Sequence, residues 1–156
     1  MDQFTLANPV FVTYAIAASI MVLKIMLQGW ITVARMIKND AGLVNPEDIK
    51  PGPANRNPRP EQLQPLEDVD RSRRIHRNDL ENIPAFLAIG LIFVAIAPPL
   101  AAQWLMYGFV AARLLHTIVY STAQRHEVRA VFYSVGSLIV IAMAIWVLLV
   151  AISAAS

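Results

Sequence analysis

The chain contains no cysteine. Disulfides and thiolate metal sites are therefore excluded, and any thiol chemistry must use a thiol brought by a substrate. Charge is scarce as well: 15% of the 156 residues are Asp, Glu, Lys or Arg, where a water-soluble domain carries about 25%. The net charge of +2 is too small to argue for nucleic acid. Histidine is rare, and His76, His116 and His126 are too scattered to suggest a metal centre, so none is expected. No internal repeat or low-complexity tract is visible. What is plentiful is apolar surface. Fifty-six per cent of the residues are hydrophobic and the mean hydropathy is +0.50, which points to a small polytopic membrane protein.

The charges are segregated. Residues 38–77 hold eight of the 13 Lys/Arg, seven of the 11 acids and six of the ten prolines, and this stretch reads as one long polar loop. Four apolar segments remain, at about 9–37, 78–97, 101–123 and 129–152. Each has the roughly 20 residues a helix needs to cross a hydrocarbon core, and helices are the spans expected, because isolated strands cannot satisfy their backbone groups in lipid. The expectation is an all-α integral membrane protein, a bundle of four transmembrane helices in a single domain over 1–156. The first segment has no basic residue before Lys24 and is too long for a signal-peptide core, so it reads as a retained span. Lys/Arg in loops one and three, with none at either terminus, predicts that both termini face away from the cytosol.

Polar residues inside the apolar segments fall at helical spacing. Lys24, Gln28, Thr32 and Arg35 share one stripe. Arg74, Arg77, Asn78 and Glu81 share another. Arg113, His116, Thr117 and Tyr120 form a third, and Arg129, Tyr133 and Ser137 a fourth. Charge at membrane depth costs about 2.5–3.5 kcal/mol per residue on insertion scales, so these stripes should face one another or a wet cavity. A cavity lined by Arg35, Arg74, Arg77, Arg113 and Arg129 would suit an anion, because guanidinium binds carboxylates bidentately. Simpler roles exist for each residue alone. Arg35, Arg71, Arg73 and Arg77 can anchor the interface, and Glu81 can pair with Arg77. Arg113 can pair with Glu81 or Asp79, His116 can be an interior hydrogen-bonding residue, and Tyr120 and Tyr133 can be belt residues. As a constellation, the stripes favour an anionic-ligand site.

Several runs resemble the MAPEG family, the membrane-associated proteins in eicosanoid and glutathione metabolism. Asn45-Pro-Glu-Asp48 is similar to its Asn-Pro-Glu-Asp loop motif. Val69-Asp-Arg-Ser-Arg-Arg-Ile-His-Arg-Asn-Asp-Leu-Glu-Asn-Ile83 resembles the signature at the start of its second helix. Arg113-Leu-Leu-His-Thr-Ile-Val-Tyr120 resembles the Arg-x-x-His-Thr-x-x-Tyr motif of its third, and Arg129 the arginine that opens its fourth. The pattern is nearest to the microsomal glutathione transferase and membrane prostaglandin E synthase subgroup. The synthase has Ser after the helix-four arginine, whereas this chain has Ala130, as the transferase does. The linker between Asp48 and Val69 is longer and richer in proline than in animal members. A short chain with a plain polar C-terminus suggests a bacterial inner-membrane member.

The resemblance implies a homotrimer with glutathione as co-substrate at each protomer interface, near the cytosolic side. It implies a glutathione site of Arg35, Arg74, Arg77, Asn78, Glu81, His116, Tyr120, Arg129 and Tyr133, supported by Arg113, with Asp48 as a helper. The implied activity is conjugation of glutathione to hydrophobic electrophiles, a detoxification chemistry, with peroxidase activity possible at the same site. A glutathione-dependent isomerase, a non-enzymatic lipid-binding scaffold and a small transporter are the alternatives. The chemistry suits the residues. Glutathione has two carboxylates, an ammonium and a thiol. A nearby guanidinium favours the thiolate, and because Arg cannot act as a base its role would be electrostatic. Arg129 is the leading candidate for that role, with Tyr133 or Tyr120 donating to sulfur.

Overall fold

A computed structural model of the chain describes residues 3–156. Four α-helices form the bundle: α1 Pro9–Asn39, α2 Glu67–Ala95, α3 Gln103–Ser121 and α4 His126–Ala155. The described residues contain no strand. Three short 3-10 turns, Pro46–Ile49, Pro60–Leu63 and Leu100–Ala102, sit in the connections. Asn8 caps α1, its side chain accepting from the Val10 amide at 3.0 Å, and Pro9 supplies the first helical φ.

Two boundaries differ from the sequence expectation. The second helix starts at Glu67, not near 78, so 38–77 is not one loop. After Pro65 the chain is polar but able to form helix. Glu67, Asp68 and Asp70 fill the first turn, where the helix dipole favours acids. Glu67–Arg71 (2.8 Å) and Asp70–Arg73 (2.9 Å) bridge at i+4 and i+3. Low hydropathy marked the end of the apolar span and was silent on where the helix began. The fourth helix likewise starts at His126, so Arg129 is its fourth residue and not its first.

Helices α1, α2 and α4 are long and apolar enough to cross a membrane. Helix α3 does not join them on that measure: it has 19 residues, and Arg113 and His116 dilute its apolar character. Pro84 lies inside α2, a break tolerated in membrane helices where neighbours or side chains satisfy the freed carbonyl.

Helix α1 packs on α2 and α3, and α4 packs on α3 and α2. Helices α2 and α3 are thus the middle of the bundle. One half of the interior is apolar. Met21, Ile83, Phe86, Phe93, Met106, Phe109 and Met143 are wholly buried, and Phe86 stacks on Phe109 with ring centroids 4.1 Å apart. Gly90 lets Tyr14 of α1 lie against α2: a Cβ there would stand 2.7 Å from Tyr14 Cε2. The Tyr14 hydroxyl donates to the Leu87 carbonyl at 2.7 Å. The outer faces carry large apolar side chains, among them Trp30, Leu138, Leu148 and Leu149. Exposed apolar surface on that scale marks contact with lipid or another chain.

Candidate functional site

The polar half of the bundle divides into two parts. In the seam between α1 and α2, the stripe of α1 is consumed by partners on α2. Gln28 Nε2 donates to Ser72 Oγ at 2.8 Å, and Thr32 Oγ1 meets the same hydroxyl at 2.8 Å. Arg35 Nη1 donates to the Asp68 carboxylate at 2.8 Å and to the Asp68 carbonyl at 2.9 Å. Lys24 Nζ pairs with one oxygen of Asp79. Arg113 Nη2 of α3 donates to the other at 2.8 Å.

Lys24, Asp79 and Arg113 therefore form a buried ionic cluster of two cations and one anion. Arg113 and Asp79 have no solvent exposure, so the structural pairing weighed for Arg113 is what the structure holds. Gly136 of α4 gives room for the arginine stem, since a Cβ there would sit 3.4 Å from Arg113 Cδ. The guanidinium carbon stands 5.9 Å from the Tyr133 ring. Arg113 does not line the cleft described next. It backs it with unneutralised positive charge.

The second part is a cleft between α2, α3 and α4. A cavity of about 360 Å³ is lined by Asn78, Glu81, His116, Tyr120, His126, Arg129, Ala130 and Tyr133. Six of these eight are residues singled out from the sequence. The Arg129 guanidinium lies over the Tyr120 ring at 4.5 Å, a cation–π contact. The His116 ring lies 5.5 Å from Tyr120 and 6.0 Å from Tyr133. On the other side of the Arg129–Tyr120 pair, a second cavity is lined by Glu67, Arg71, Arg74, Tyr120, Ala123, Gln124 and Arg129. Here Glu67 Oε1 accepts from Arg71 at 2.8 Å and from Arg74 at 2.7 Å.

Buried polar atoms usually have partners. The four side-chain exceptions among the described residues are Arg113 Nε and Nη1, His116 Nδ1 and Arg129 Nε. All are on α3 and α4, at or behind the cleft. Arg129 Nε can only donate, and His116 Nδ1 can donate or accept by tautomer. The arrangement can hold an anion against Arg129, with phenols and an imidazole beside it.

Not every expected residue is gathered there. Arg35 faces Asp68. Arg77 is exposed and lines neither cavity. Asp48 lies in the loop, its Oδ2 accepting from the Asn45 amide and side chain at 3.2 Å each, and lines a separate cavity with Val33, Met36 and Gln62. The expected five-arginine cavity is thus narrower, with Arg129 at its centre and Arg74 and Arg71 on one side. Sequence reasoning missed Arg71 and His126 as lining residues. The signal was present in both cases: each lies three residues before a residue it had singled out, Arg74 and Arg129, and so shares its helix face.

Comparison with known proteins identifies the family. A profile of the MAPEG family matches residues 14–149. Microsomal glutathione S-transferase 1 of Sus scrofa is 35% identical over 138 residues, 88% of each chain, and that of Homo sapiens is also 35% identical over 138 residues, again 88% of each. Prostaglandin E synthase of Homo sapiens is 28% identical over 147 residues, 94% of this chain and 93% of that protein. With the profile running from within α1 to within α4, most of the chain is matched, and the chain belongs to the MAPEG family.

Proposed function

We propose that the chain is a membrane-bound glutathione transferase, which activates glutathione as its thiolate and conjugates it to hydrophobic electrophiles. The observation that carries this is the unpartnered, buried Nε of Arg129 in a cleft with Tyr120, Tyr133, His116, Asn78 and Glu81. A cleft of this volume suits a small molecule. The relatives named as microsomal glutathione S-transferase support the substrate.

In this reading the tripeptide's thiol meets Arg129, whose guanidinium stabilises the anion without exchanging a proton. The first turn of α4 adds positive potential from its free amides, and Arg113 adds more from behind Tyr133. Tyr133 or Tyr120 donates a hydrogen bond to sulfur. Glu81 receives the ammonium, and Arg74, with Arg71 beside it, takes a carboxylate by exchanging Glu67 for the ligand. The electrophile enters from the apolar side. Ala130 lines the cleft next to Arg129 and offers no hydroxyl, which favours transfer over the isomerase chemistry of a synthase.

The assembly we propose is a homotrimer, with α3 as a fourth span and both termini on the non-cytosolic side of a bacterial inner membrane. The exposed apolar faces supply surface for both lipid and neighbouring protomers. Arg77 and Asp48, outside the cleft of one protomer, belong to the site only if a neighbour brings them to it. The test is purified protein with glutathione and three electrophiles: a haloarene, a lipid hydroperoxide and prostaglandin H2. Conjugation of the haloarene is expected. Turnover of prostaglandin H2 alone would replace the transferase with an isomerase, and no glutathione dependence with any of them would overturn the reading.

A further inference from the structure

A thiol that becomes a thiolate must give its proton to something, and the residues assigned so far do not say what. Arginine cannot take it. Phenols titrate near 10 and arrive already protonated at neutral pH. His116 is 2% exposed and stands beside the Lys24–Asp79–Arg113 cluster, with its surplus of one positive charge. A second positive charge there would be costly.

His126 differs on each count. It is the first residue of α4, it is exposed, and it lines the same cleft as Arg129. The residues at 126, 129 and 133 run along one face of α4, and all three line the cavity. An imidazole at 126 lies one turn before Arg129 on α4, roughly 4.5 Å along the axis, and is exposed where Arg129 is partly buried. The other charged or titratable groups lining the cleft are Glu81 from α2, His116 and Tyr120 from α3, and Arg129 and Tyr133 from α4. Arg125 and Glu127 flank His126 in the chain. Histidine is the side chain that ordinarily changes charge between pH 5 and 8, so it can accept a proton from a thiol and release it to solvent.

We propose that His126 is the proton acceptor for thiol activation in this cleft. The inference rests on the transferase reading above. The S–H bond breaks heterolytically and its electron pair stays on sulfur beside Arg129. The proton passes to the His126 imidazole, directly or through one water, and then to bulk buffer. Nothing is oxidised or reduced. The division of labour separates rate from extent: Arg129 sets how much thiolate forms, and His126 sets how fast.

The test is stopped-flow mixing of the purified protein with glutathione in weak buffer. The thiolate is followed by its ultraviolet absorbance and the released proton by an indicator dye. His126→Gln is expected to slow thiolate formation about a hundredfold at pH 7, the low end of what a positioned acid or base contributes, and to flatten the pH dependence of that rate. The final amplitude should be that of the unsubstituted protein. Added imidazole should accelerate His126→Ala and leave the unsubstituted protein unaffected. An unchanged rate and pH profile in His126→Gln overturns the proposal. So does a lost amplitude with an unchanged rate constant, which would make His126 a binding contact. If the unsubstituted protein forms no thiolate, the transferase reading itself fails, an outcome distinct from either of these.

Discussion

The seam between α1 and α2 and the cleft between α2, α3 and α4 are built from similar side chains at helical spacing. They differ in whether those side chains are satisfied. In the seam, Gln28, Thr32 and Ser72 share one hydrogen-bonded group, and Lys24 and Arg35 each have an acid. At the cleft, His116 Nδ1 and Arg129 Nε are buried without a partner, and behind it Arg113 leaves two more nitrogens unpaired. A polar stripe in a membrane helix is therefore not by itself a ligand site. In the seam it joins two helices, and only where donors are left over does it call for something from outside.

The largest expected effect breaks the seam where it meets the cleft. Asp79→Asn leaves Lys24 and Arg113 buried without their anion. Removal of one partner from a buried ion cluster costs about 3–5 kcal/mol. Thermal unfolding in detergent should show a large loss of stability, and an unfolding temperature within a degree of the parent would remove the cluster as a structural element.

The matching change in the cleft acts on chemistry and leaves the fold. Arg129→Leu removes a charge-assisted contact to sulfur worth roughly 1.5–3 kcal/mol. Turnover at saturating glutathione should fall about ten- to a hundredfold or more, and the bound thiol should titrate nearer its free value in ultraviolet difference spectra. Should both stay unchanged, the thiolate stabiliser is Tyr120 or Tyr133.

Two glycines sharpen the contrast further. Gly90→Ala drives a methyl into the Tyr14 ring, which its hydrogen bond to the Leu87 carbonyl holds in place. Overpacking of this kind costs about 1–3 kcal/mol. A Cβ at Gly136 makes ordinary contact with Arg113, and alanine gains close to 1 kcal/mol of helix propensity over glycine, so Gly136→Ala should be near neutral. Melting curves of the pair decide it, and equal losses would contradict the closer fit assigned to the first seam.

Arg35→Gln should matter least. Its pair with Asp68 is partly solvated, and such pairs contribute below about 1 kcal/mol. Calorimetric titration should find glutathione binding weakened less than threefold. A tenfold loss would return Arg35 to the site by way of a neighbouring protomer.

The amino-acid sequence by itself determined the class of protein. An apolar chain with four long hydrophobic segments and most of its charge gathered outside them must fold as helices that satisfy their own backbone, and the spacing of Arg113, His116 and Tyr120 is plain in one dimension. Cleft residues such as Tyr120, Arg129 and Tyr133 were legible for the same reason, since helical periodicity places them on common faces. The start of α2 was not legible, because charge hides a helix that its own i+4 pairs stabilise. Nor could the sequence say which arginine meets a ligand. Arg35, Arg113 and Arg129 each sit in an apolar helix with polar residues one turn away, and their difference is a matter of what stands opposite. Asp68 pairs with the first and Asp79 with the second, while among the described residues no acid pairs with the third, whose Nε is buried without a partner. That assignment depends on contacts between residues 33 or more positions apart in the chain, so only the packing of the four helices could decide it.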